Sequence, residues 1–88
     1  MRARRLEIVD EYVEDGRAAV YTTKGMVVLL SELATTAWTV IGDEWVTATD
    51  VAHLLVKEFG EPAEGMTEEL TEESLRSLAE MGLIQLEA

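Results

Sequence analysis

The stretch GMVVLLS, residues 25 to 31, decides how this chain of 88 residues is expected to fold. It holds five consecutive apolar residues, Met26 to Leu30, between a glycine and a serine. A strand with one solvated face alternates apolar and polar residues, and an amphipathic helix keeps one polar stripe, so neither pattern fits. The run therefore predicts a short strand with two apolar faces, and it raises the question of what covers the second face.

Two further strands are predicted before this run. Residues 6 to 13 interleave apolar and acidic side chains, which is typical of a half-buried strand. Asp15 and Gly16 follow as a hairpin signal, because the tight turns that match strand twist need positive φ angles. Residues 18 to 22 form the returning strand, and Gly25 ends a second turn. We therefore expect a three-stranded antiparallel meander.

Three helices are predicted after the strands, because the spacing of apolar residues changes to three and four. The order of strands and helices predicts an α+β class, with three strands followed by three helices. The expected caps and stops are Ser31 and Gly42 for the first helix, Thr47 or Thr49 and Gly60 for the second, and Thr71 and Gly82 for the third.

Charge and composition narrow the function. Eighteen acidic residues against seven basic ones give a net charge of −11. Nucleic-acid binders gain affinity from Lys and Arg, so this sign disfavours nucleic acid, and it disfavours an anionic membrane surface as well. We therefore expect a basic or neutral partner. The chain has no cysteine and no apolar run near the ~20 residues of a membrane span, so we expect a cytoplasmic location.

Catalytic chemistry has little support in the sequence. There is no nucleophile paired with a base, no glycine-rich phosphate loop and no cluster of metal-ligating residues. The lone histidine, His53, shares the polar face of the second helix with Asp50 and Lys57, and one histidine without cysteine makes no transition-metal site. We therefore expect a protein that is not an enzyme and that uses no metal or cofactor.

Three segments together resemble a known family. They are KGMVVLLSELATTAWTVI, TATDVAHLLVKEFG and TEESLRSLAEMGLI, and their order and spacing resemble the PqqD-like family. Members of this family are the leader-peptide recognition elements of ribosomally made, post-translationally modified peptides. Ser31 stands where the family favours asparagine, and the acidic loop from Glu61 to Leu70 is longer than the family pattern. The matching residues, over roughly residues 6 to 86, are Gly25, Leu30, Ala37, Trp38, Val51, Leu55, Gly82 and Leu83.

The resemblance implies one winged helix-turn-helix-like domain over residues 1–88 and a binding function. The leader of a precursor peptide would add as a strand beside the third strand, over a groove made with the third helix. The residues that the resemblance implies as peptide contacts are Met26, Val27, Val28, Leu29 and Leu30 from the strand and Leu75, Arg76, Leu78 and Ala79 from the helix.

The resemblance also implies partners. The short termini resemble members that serve lasso-peptide biosynthesis, where the partners are a leader peptidase of the cysteine protease type and an ATP-dependent cyclase. One alternative is a peptide chaperone for a radical SAM enzyme in pyrroloquinoline quinone-type maturation. Another is an acidic winged-helix protein-interaction module in regulation. A free apolar strand edge can also pair with a second copy, and the sequence leaves this homodimer open.

Three other side chains have competing interpretations. Trp38 lies on the apolar stripe of the first helix, which favours a core position. Trp45 lies in a turn, where packing and surface contact are equally expected. Arg76 is spaced to pair with Glu72 and Glu80, and this support for the third helix is favoured over contact with a leader carboxylate.

Overall fold

Two three-stranded antiparallel sheets and three helices make up the computed structural model, which describes residues 1–60 and 68–87. The chain is thus a small α+β domain, as the sequence predicts. One sheet, here called the terminal sheet, has the strand order β5-β1-β6, and the other, the meander sheet, has the order β2-β3-β4. The elements are β1 (Arg2–Arg5), β2 (Ile8–Glu14), β3 (Arg17–Thr22), β4 (Val27–Leu29), α1 (Glu32–Val40), β5 (Val46–Thr47), α2 (Ala48–Phe59), α3 (Glu68–Glu80) and β6 (Ile84–Glu87).

The predicted meander is confirmed. Glu14 pairs with Arg17 across a two-residue turn, in which Asp15 has φ 53° and Gly16 has φ 76°. These left-handed angles are those of the tight hairpin turn that the sequence predicts. Gly25, with φ 80°, lies in the second turn. The long apolar run therefore becomes β4, the last strand of the meander and one edge of its sheet.

The predicted caps are correct for the first two helices. The Ser31 hydroxyl accepts a hydrogen bond from the Ala34 N–H at 3.1 Å, and Thr47 caps α2 in the same way. Gly60 ends α2 with φ 76°. Thr71 is not a cap: it lies within α3 and is completely buried. Most of the predicted acidic loop lies outside the described residues.

The terminal sheet is the main departure from the expected order of three strands and then three helices. β1 precedes the meander, and its neighbours β5 and β6 come from after α1 and after α3. The segment MRARR gives no strand pattern in the sequence, because Ala3, with no exposed surface, is the only buried residue of β1. Its charged side chains find other partners: the Arg2 and Arg4 guanidinium groups lie 5.2 and 4.8 Å from the centroid of the Trp45 ring.

One hydrophobic core joins the two sheets and the helices. Trp38 is 1% exposed, as its position on the apolar stripe predicts. Leu54 and Phe59, which the spacing places inward, are instead 38% and 47% exposed, so the buried stripe of α2 is narrower than expected. None of the described helices is long and apolar enough to cross a membrane. The largest buried apolar side chains include Trp38, Leu30, Ile41, Leu55, Leu75, Leu78, Leu83 and Ile84.

Arg5 connects the two sheets to α1. Its guanidinium carbon lies 3.8 Å from the centroid of the Trp38 ring, and the group donates two hydrogen bonds to the Trp38 carbonyl, at 2.8 and 3.2 Å. Glu11 of β2 accepts a hydrogen bond from the Trp38 indole N–H at 2.6 Å. A Glu11 carboxylate oxygen also lies 3.7 Å from the Arg5 guanidinium. Three elements therefore meet at one half-buried cluster, Arg5, Glu11 and Trp38.

We predict that Arg5→Ala lowers the free energy of unfolding by about 2 kcal/mol, because it removes charged hydrogen bonds and a cation–π contact. Arg4→Ala is the matched control on the same strand, since among the described residues the Arg4 side chain bonds only the exposed Gln85 and stacks near Trp45. For this control, the free energy of unfolding should fall by less than about 1 kcal/mol. Urea unfolding followed by tryptophan fluorescence measures both, and equal losses would contradict the central role of Arg5.

Candidate functional site at an open strand edge

The two outer edges of the meander sheet differ in their chemistry. β2 carries Asp10, Glu11 and Glu14, and its pairing with β3 shifts register between Ile8 and Asp10. Charged side chains and bulges are the usual devices that keep an edge strand from pairing with another chain. The segment from Met26 to Leu30, which contains β4, has no charged residue and no register shift. β4 is therefore the edge that remains open to another strand.

The main-chain groups at this open edge belong to Val27 and Leu29. On the other side of the strand, Met26 O accepts from Thr22 N–H and Leu30 N–H donates to Ala18 O, both at 2.8 Å. Because main-chain groups alternate in direction along an antiparallel strand, the N–H and C=O of Val27 and Leu29 point away from β3. Within the part of the chain that the structure describes, no strand pairs with that side. Four hydrogen-bonding groups are thus available to a partner.

The side chains of β4 divide between two faces. Val28 and Leu30 are 7% and 2% exposed and pack in the core. Val27 and Leu29 are 54% and 74% exposed on the outer face, away from the core. Met26, just before the strand, is 57% exposed. Among the described residues, nothing covers the second apolar face of the run.

Two cavities share Glu80, the last residue of α3, in their linings. The cavity at the start of β4 has a volume of about 470 Å³ and is lined by Met26, Met81 and Glu80 among others. The second cavity has a volume of about 530 Å³ and is lined by Leu33 of α1 and by α3 residues between Leu70 and Glu80. Glu80 lines both cavities, so they adjoin. We call the two together the α3 groove.

The nine predicted peptide contacts fall into three groups in the structure. Met26, Val27, Leu29 and Arg76 have accessible side chains. Ala79 is half-buried against the core. The side chains of the other four are core residues, so they are not free to touch a docked peptide: Val28, Leu30, Leu75 and Leu78.

A physical reason explains this division on α3. The apolar stripe of an amphipathic helix is the side that packs against its own domain, and on α3 that stripe holds Leu75 and Leu78. The groove is lined instead by the neighbouring side of the helix, with Glu73, Ser77 and Glu80. Of the four predicted contacts on α3, Arg76 lines the groove and Ala79 is half-buried, whereas Leu75 and Leu78 belong to the buried stripe. The polar residues spaced at three and four on α3 were the signal that would have identified the groove wall.

The remaining candidates have structural roles. Arg76 forms the predicted ion pair with Glu72, at 3.6 Å. Trp45 is half-buried beneath the Arg2 and Arg4 guanidinium groups, which favours packing over partner contact. His53 is exposed on α2. In residues 1–60 and 68–87, no three His, Asp or Glu side chains come together where a metal ion could bind.

Comparisons with protein-family models, with curated proteins and with solved structures gave no match to this chain.

We predict that the same substitution destabilises the protein strongly at one position of β4 and only slightly at the adjacent position. Val28→Asp should lower the free energy of unfolding by about 3 kcal/mol or more, because it buries a charge in the core. Val27→Asp should change it by less than about 1 kcal/mol, because that side chain is already half in solvent. Urea unfolding followed by tryptophan fluorescence distinguishes them, and a large loss for Val27→Asp would show that its outer face is covered.

Proposed function

We propose that this chain is a non-catalytic adaptor that binds the leader region of a ribosomally synthesised precursor peptide. In this proposal the leader adds antiparallel to the open edge of β4 and lies over the α3 groove, in a domain of the winged-helix-like kind. The chain would deliver the bound precursor to separate processing enzymes and so raise their effective concentration of substrate.

The contrast between the two edges of the meander sheet is the observation that carries the proposal. Three carboxylates and a register shift protect β2, whereas β4 has neither charge nor irregularity and exposes four main-chain groups. An unprotected apolar edge can pair with another chain, so an open edge of three residues, Val27–Leu29, favours a short and specific guest strand. Strand addition is the recognition mode that uses such an edge, with main-chain bonds for affinity and pockets for selectivity.

The expected strength of binding shows why the groove is needed. Four main-chain hydrogen bonds at about 1 kcal/mol each give about 4 kcal/mol. Micromolar binding requires about 8 kcal/mol, after the entropy of ordering a flexible peptide has been offset. Two apolar guest side chains buried in the α3 groove, at about 1.5 to 3 kcal/mol each, supply the difference. Edge and groove must therefore act together.

The partners are part of the proposal. The resemblance favours a lasso-peptide pathway, in which a cysteine-type leader peptidase and an ATP-dependent cyclase receive the bound precursor. The absence of cysteine from the chain and the exposed position of its lone histidine, His53, support a role without catalysis. The net charge of −11 favours a peptide guest over nucleic acid.

We predict that Leu29→Pro weakens leader binding without unfolding the protein. Proline removes an N–H that points away from β3, so the existing ladder keeps its bonds, and edge strands tolerate proline for this reason. Loss of one donor, together with an unpaired carbonyl on the guest, should weaken binding by roughly tenfold to a hundredfold. Calorimetric titration with synthetic leader peptides, taken from short reading frames beside the gene, measures the change.

Leu29→Ala is the matched control, because it shortens the same side chain and keeps the N–H. It should bind the leader within a few-fold of the unsubstituted chain. Urea unfolding of both variants shows whether the fold is retained. Equal affinities for Leu29→Pro and the unsubstituted chain, with both folded, would rule out strand addition at β4.

A further inference from the structure

We infer that the α3 groove selects a guest strand in which a lysine or arginine lies between two apolar residues, the three side chains facing α3. This inference rests on the proposed strand addition at β4. It specifies the chemistry of the guest from the residues that line the groove.

The register of an added strand determines which guest residues face α3. Side chains of directly paired residues lie on the same face of a sheet. Guest residues opposite Val27 and Leu29 therefore point to the outer face, with those two exposed side chains. Guest residues opposite Met26, Val28 and Leu30 point to the inner face, where Met26 lines one cavity of the groove. Three alternating guest side chains thus enter it, one at each end and one in the middle.

The length of the groove agrees with this number. Along α3, the residues that line the cavity of about 530 Å³ run from Leu70 to Glu80. At 1.5 Å per residue this span is about 15 Å. An extended strand covers about 15 Å with about five residues, of which three alternate toward one face.

Each end of the groove contains apolar side chains. Leu6, Met26 and Met81 line the cavity at the start of β4, together with the charged Lys24 and Glu7. Leu33 and Leu70 line the opposite end. These ends suit the two outer guest side chains, because each can bury an aliphatic group away from water.

The middle of the groove is acidic. Glu73, Ser77 and Glu80 recur at four and three residues, so they share one face of α3, and all three line the same cavity. Neither Glu73 nor Glu80 has an ion pair among the described residues. Arg76 lines the same cavity, but its guanidinium group is already paired with Glu72. A cationic guest side chain opposite Val28 would supply the missing partner.

Designed peptides test this inference directly. The first probe is an acetylated and amidated peptide of sequence Val-Thr-Leu-Thr-Lys-Thr-Leu-Thr-Val, which reads the same in both directions and places lysine centrally on one face. The second probe replaces the lysine with glutamate. At low salt the lysine peptide should bind roughly fivefold to tenfold more tightly, and the difference should shrink as salt screens the charges.

Variants of the protein locate the effect. Glu80→Lys should reverse the preference, so that the glutamate peptide binds more tightly than the lysine peptide. Glu44→Lys is the matched control, because it makes the same change in net charge at an exposed position that lines neither cavity. It should shift both peptides alike and keep the preference for lysine.

The outcomes separate this inference from the proposed function. Equal binding of the two peptides, or a preference that Glu80→Lys leaves unchanged, overturns the inference, and so does the failure of both peptides to bind. The titration of leader peptides decides the function independently. N-methylation of the two threonines beside the lysine blocks the N–H groups that face β4, so unchanged binding of that peptide would reject strand addition itself.

Discussion

The cluster of Arg5, Glu11 and Trp38 is the constraint on which the rest of the structure depends. Trp38 is the largest buried side chain, and its indole N–H would be an unpaired polar group without the carboxylate from β2. Glu11 needs a cation in turn, and Arg5 brings one from the terminal sheet. Because a partly satisfied buried network is worse than an apolar one, β1, β2 and α1 must dock together. This requirement sets the position of the meander sheet relative to the helices.

The open edge follows from that arrangement. Glu11 holds β2 against α1, and the two turns of the meander then place β4 at the opposite edge of the sheet. Ser31 then starts α1 two residues after β4 ends. The helices cover the inner face of the sheet, and the outer edge of the short β4 stays without a paired strand among the described residues. The open edge therefore arises where the core has used one face of an apolar run and where no further strand of the described residues pairs with β4.

Local signals predicted the meander and the helix starts, because these features depend on a few neighbouring residues. Asp15 and Gly16 identify their turn by backbone sterics alone, and Ser31 identifies its cap by one hydrogen bond. The terminal sheet is different: it pairs β1 with residues about 45 and 80 positions away, and no local pattern encodes such pairing. The candidate edge was predictable from its lack of charge, whereas burial of Leu75 and Leu78 depended on which side of α3 meets the core.

The small net free energy of main-chain hydrogen bonds limits self-association through the open edge. Two copies that paired β4 with β4 would form about four main-chain hydrogen bonds, worth about 4 kcal/mol, which corresponds to a dissociation constant of about 1 mM. Each copy also carries a net charge of −11, and repulsion between the copies weakens the pair further. A flexible peptide differs because it can place side chains in the α3 groove, which the strand of a second folded domain reaches only if its own body does not collide with α3. In the proposed function, a short strand beside a groove would thus favour an unfolded guest over another copy of the chain.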